Sequence, residues 1–145
     1  MAVTYDKIAY DEVEHGLKKV IDNEFNNVYI GNTFKMLGTE CIKIELLTST
    51  LLQQTGALEQ REYALIVRYY HKADTSQEII NKAVKGKVDR LRKHLLDNQV
   101  NNTNNWAELR IENITYNVQD DENEEESNLH IAEYELSITH NNFYT

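Results

Sequence analysis

The chain reads as an α+β domain: a mainly antiparallel sheet of about four to five strands with two helices packed on one face, in the order α-β-β-β-α-β-β. Three observations predict it. Two stretches repeat apolar residues at three- and four-residue steps, the spacing of a helix with one buried stripe. Several shorter stretches are rich in β-branched and aromatic residues in alternation, as strands are. The strands fall in two runs set off by the helices, instead of alternating strictly with them, which favours antiparallel pairing. The 145 residues, 41% of them hydrophobic, suffice for one core. No internal repeat or linker divides the chain, so residues 1–145 read as a single domain.

The first helix is expected over residues 5–25, with Tyr10, Val13, Leu17, Val20, Ile21 and Phe25 on one face and Asn26 and Asn27 stopping it. A short strand, Val28–Ile30, and a polar loop through Gly38 follow. Residues 41–47 alternate as a strand, Ile42, Ile44 and Leu46 against Cys41, Lys43 and Glu45. Residues 48–60 are the least regular stretch and longer than a usual hairpin loop. They read either as a loop with incidental leucines or as a long arm that lays Leu51, Leu52 and Leu58 on a neighbouring molecule. Residues 61–72 form the strongest strand, apolar on both sides in its middle, hence central or covered on both faces.

The clearest helix covers residues 75–98. Ile79, Ile80, Ala83, Val84, Val88, Leu91, Leu95 and Leu96 make its stripe, Thr75 and Glu78 read as a capping box, and Arg90, Arg92, Lys93 and His94 suit its C-terminal end. Gly86 sits mid-helix at a cost of roughly 1 kcal/mol against alanine, either for a close approach or simply tolerated. An Asn-rich loop around residues 100–105 leads to Trp106. The last third is a hairpin, in which the apolar phase shifts once per strand, between Ile111 and Ile114 and between Ile131 and Tyr134. That predicts a bulge or bend in both. Proline is absent, and asparagines able to take positive φ replace it as punctuation.

A formal charge of −9 argues against a nucleic-acid-binding role. The single cysteine, Cys41, gives no disulfide framework. No signal-peptide pattern and no membrane-length apolar run are present, so the expectation is a soluble protein made in the cytoplasm, with the sequons at Asn101 and Asn113 unused. No Gly-rich phosphate loop, zinc-protease motif or nucleophile elbow occurs, and the histidines lack ligand spacing; His130 and His140 lie some 30 Å apart on one straight strand. The expectation is surface or interface histidines, an inert thiol, no catalytic residue, no metal, no cofactor and no enzyme.

Two charged features remain. The turn at about residues 120–128 contains Asp120, Asp121, Glu122, Glu124, Glu125 and Glu126. It reads as a solvated hairpin tip, as a surface for a basic partner or for passing DNA, or, least well, as a metal loop, since it lacks the spacing of a Ca²⁺ site. The second helix carries Lys82, Lys85, Lys87, Arg90 and Lys93. These form an ordinary exposed face or, with Lys85, Arg90 and Lys93 meeting the acidic turn of another copy, a head-to-tail contact that can close a ring.

An amphipathic helix ending in Val28-Tyr29-Ile30, an apolar strand over residues 41–47, a long arm, a strand reading Glu62-Tyr63-Ala64-Leu65-Ile66-Val67-Arg68-Tyr69, a second helix and a terminal hairpin form an order of elements that resembles the tail terminator (tail-completion) family of tailed bacteriophages. More loosely it is similar to the neck and head–tail joining proteins of the same fold. The likeness spans nearly the whole chain and lies in pattern and size; the acidic turn and the lack of proline are not family marks. It implies a virion structural protein at the head–tail junction, a hexameric ring that caps the tail tube, stops its polymerisation and offers a docking surface to the head connector. Its partners would be itself, the tail tube protein and the neck proteins, with DNA only sliding through the ring. By position, residues 48–60 would match the hairpin extension that touches neighbouring subunits. A reading from another class is a small acidic binding module or inhibitor acting through residues 120–126.

Overall fold

The computed structural model describes residues 2–3, 5–31, 39–73, 77–120 and 128–143. Among them, strands β1 (Val28–Ile30), β2 (Glu40–Thr55), β3 (Leu58–Ala73), β4 (Trp106–Asp120) and β5 (Asn128–Phe143) join in one sheet of order β1-β2-β3-β5-β4. Every pairing is antiparallel except β1 with β2. Helix α1 (His15–Asp22), entered through a π-helical segment Ile8–Glu14, and helix α2 (Gln77–Asp97) complete the α+β fold.

Alternation along the strands decides which side is covered. Tyr63, Leu65, Val67 and Tyr69 of β3 are buried, as are Ala132, Tyr134, Leu136 and Ile138 of β5 and Ile42 and Ile44 of β2. They share one core with Leu17, Val20 and Ile21 of α1 and Val84, Val88, Leu91 and Leu95 of α2, so both helices lie on the same face. The four α2 side chains contribute about 1.5–3 kcal/mol each by burial. That outweighs the roughly 1 kcal/mol cost of Gly86, and packing, not helix propensity, holds α2. Nothing stands within 4 Å of the place a Cβ on Gly86 would take, so its cost is tolerated without a close approach.

Polar pins fix the helices. Buried Tyr134 donates its hydroxyl to the Val88 carbonyl at 2.7 Å, and burial holds that phenol well above its ordinary pKa. His94 Nε2 reaches the Val20 carbonyl at 2.6 Å, tying α2 to α1. Asn27 and Asn105 take φ values of 59° and 60°, the punctuating conformation expected of the asparagine clusters.

The structure corrects several expectations. Residues 48–60 are not an irregular connection: β2 and β3 run on as sixteen-residue strands to a two-residue turn, Gly56-Ala57, with Gly56 at φ 54°. Residues 48–60 thus form the end of a β2–β3 hairpin, and β5 pairs with β3 all the way to Leu58↔Phe143. The bulge expected in β5 is absent; its register with β3 is unbroken, and Ile131 faces the side away from the helices beside Tyr70, while the phase change in β4 occurs between Ile111 and Asn113. Tyr10 is 53% exposed and stacked on His15, not in the core, because the π-helical turn (His15 N–H to Tyr10 C=O) adds a residue per turn and rotates it off the stripe. Ala83 is likewise exposed, and Thr75 and the side chains of Glu78, Ile79 and Ile80 lie outside the described residues.

Candidate interaction surface

From Leu46 to Thr55 the chain reads Leu-Leu-Thr-Ser-Thr-Leu-Leu-Gln-Gln-Thr, without one charged side chain. The pairing of β1 with β2 ends at Ile44. Beyond it, no described strand pairs with the outer edge of β2. Native sheets usually guard such an edge with lysine, proline or brevity; this one has none of these. Bulges are the remaining guard, and here they do the reverse of hiding apolar surface. Leu46 pairs with Leu65 and Thr48 with Ala64, leaving Leu47 unpaired; Leu51 pairs with Arg61 and Gln53 with Gln60, leaving Leu52 unpaired. Both extra residues are leucines, 50% and 48% exposed, and Leu51 beside them is 46% exposed.

The strip is held stiffly from behind. Arg61 donates to the Ser49 hydroxyl at 2.7 Å and Gln60 to Asn141 at 2.9 Å, joining β2, β3 and β5. Around the corner lies the sheet face opposite the helices. Arg68 there forks between Glu45 at 2.7 Å and Glu133 at 3.2 Å on the flanking strands. Next to it is a depression of about 450 Å³ whose walls include Leu47, Ile66, Arg110 and Glu135. Leu47 thus links the edge to that open face.

The residues singled out from the sequence are not all brought together. Leu51 and Leu52 lie on the exposed strip; Leu58 is half-buried between Thr55 and Phe143. Lys85 is exposed and, among the described residues, makes no ion pair. Arg90 is committed within the chain, to the Glu24 carboxylate at 2.7 Å and over the Phe25 ring, and it holds the Glu24 carboxyl below its usual range; Lys93 pairs with Asp97. Asp120 ends β4 opposite Asn128, while Asp121, Glu122, Glu124, Glu125 and Glu126 lie outside the described residues.

Two histidines expected at the surface are buried. His140 is 1% exposed, with Nε2 2.8 Å from Glu12 Oε2; Asn105 donates to the same carboxylate and the Trp106 indole to the Glu12 carbonyl. His130 is 6% exposed, and among the described residues its Nε2 has no hydrogen-bond partner. Strand alternation placed both facing the helices; the apparent phase change at Ile131 hid it. Burial pushes the Cys41 thiol up, away from nucleophilic use. Among the described residues no three His, Cys, Asp or Glu side chains are set to hold a metal ion, and no helix is long and apolar enough to cross a membrane.

The fold is α+β, and the exposed edge of β2 with the adjoining open face is its candidate surface. Compared by sequence, the chain matches no protein-family model and no curated protein.

Proposed function

We propose that this chain is a virion structural protein of the tail-terminator kind, a subunit that joins copies of itself in a ring on the tail tube, ends the tube's growth and receives the head connector. The observation that carries the reading is the uncharged outer edge of β2 with its exposed Leu47, Leu51 and Leu52. An edge so unguarded is suited to accept a strand or an apolar surface from a neighbouring subunit, and main-chain hydrogen bonds would give the affinity. Leu51 and Leu52 lie within residues 48–60, the stretch that the resemblance assigns to contacts between subunits. Such a protein acts by complementarity alone: one ring face fits the tube, and the other refuses a further tube ring. A different neck or adaptor protein of the same fold would use the same edge at another level of the stack.

The test is labelling of assembled particles from the source of this gene with an antibody to this chain, viewed by electron microscopy. Label at the head–tail junction supports the reading, and its height in the stack separates terminator from adaptor. Absence of label on intact particles, with the protein also missing from dissociated ones, overturns it and turns attention to binding through residues 120–126.

A further inference from the structure

The two buried histidines of β5 sit near opposite ends of one strand, and their surroundings differ in sign. At one end His140 Nε2 has the Glu12 carboxylate at 2.8 Å. At the other end His130 pairs across the sheet with His71, which in turn pairs with Glu40 of β2. Glu40 already accepts from the Tyr69 hydroxyl at 2.8 Å and lies 3.9 Å from Lys87 of α2. Tyr69 also stands 3.3 Å from His71 Nδ1. The groups facing this pair among the described residues are therefore one carboxylate already shared, one lysine, one neutral phenol and a second imidazole. Adding a proton there places a cation beside another ring and an ammonium group, while among the described residues His130 Nε2 has no acceptor for a hydrogen.

We infer that acid opens this molecule from one end: as His71 takes up a proton beside buried His130, the end of the sheet beneath Lys87 loosens while the end closed by Glu12 and His140 stays shut. The direction of linkage agrees. Burial, the largest cause, holds the His71 pKa below its ordinary 6.5 against the pull of Glu40, with smaller help from the charges of His130 and Lys87. The unfolded or opened chain then binds more protons than the closed one, so the contribution to stability is full above about pH 6.5 and falls away as pH drops below it. The device is independent of the assembly reading, since it needs only the single subunit.

Hydrogen exchange of the full chain, followed by mass spectrometry at pH 7.5 and 5.0 and corrected for intrinsic rates, tests this. Peptides covering residues 68–73 and 128–133 should lose protection at the lower pH. Peptides covering residues 105–111 and 136–142 should change far less. His71→Gln should abolish most of the difference, and His130→Asn, if it folds, should do the same. Equal loss at both ends, no loss at either, or a full acid response retained in His71→Gln would overturn the inference.

Discussion

Alanine in place of two glycines should move stability in opposite directions. Gly86 lies within α2, and nothing occupies the space a Cβ would fill. Gly86→Ala therefore keeps every contact and gains the helix preference, about 0.8–1 kcal/mol. For a domain of this size that corresponds to a rise of about 2–4 °C in Tm. Gly16 also lies in a helix, but a Cβ there would stand 2.8 Å from Asn104 Nδ2 and 2.9 Å from its Cγ. Asn104 belongs to a tight turn whose backbone N–H donates to Asn101 Oδ1, so its amide must swing aside or the turn must shift. Overpacking of this kind costs about 1–3 kcal/mol, which cancels or exceeds the helical gain. Urea and thermal unfolding of Gly86→Ala, Gly16→Ala, Asn104→Ala and the Gly16→Ala/Asn104→Ala pair measure both effects. The pair should recover about 1 kcal/mol relative to the sum of its single changes. Equal shifts for the two glycine variants, or a loss in Gly86→Ala, would refute the reading of which glycine is crowded.

Three further outcomes are expected. Glu12→Ala strips His140 of its carboxylate and Asn105 of its acceptor in a nearly closed site, and should cost about 1–3 kcal/mol in denaturant unfolding. Tyr134→Phe leaves the ring in place but removes the 2.7 Å bond to Val88, and should cost about 1 kcal/mol with no change in far-ultraviolet circular dichroism. Leu51→Lys/Leu52→Lys places charge on the exposed strip; monomer stability should stay within about 0.5 kcal/mol, while incorporation into particles is lost, as complementation and sedimentation would register.

The fold was legible wherever one periodicity ran unbroken. Val84, Val88, Leu91 and Leu95 announce the buried side of α2, and Tyr63, Leu65, Val67 and Tyr69 that of β3. Legibility failed where a local irregularity changed the count. Two bulges in β2 interrupt the alternation and make a strand look like a loop, although the Gly56-Ala57 pair and the uncharged run before it were visible signals. In β5 the opposite error arises, since Ile131 imitates a core position while sitting on the open face beside Tyr70. The Glu12–His140–Trp106 knot joins residues more than ninety positions apart, and no local pattern could have announced it.

The sixteen unbroken pairs between β3 and β5 have a consequence for how the molecule is made. Each strand has a close neighbour in the chain, β2 for β3 and β4 for β5, so two hairpins can form locally in about 1–10 microseconds. The seam that unites them must wait for α2 and β4 to be synthesised, roughly 50 residues, or several seconds of translation. During that interval the nascent chain presents the naked side of β3 as well as the leucine strip of β2. The surface proposed to recruit neighbours is thus exposed before the subunit is complete, and residues that favour assembly in the finished protein are a hazard on crowded polysomes.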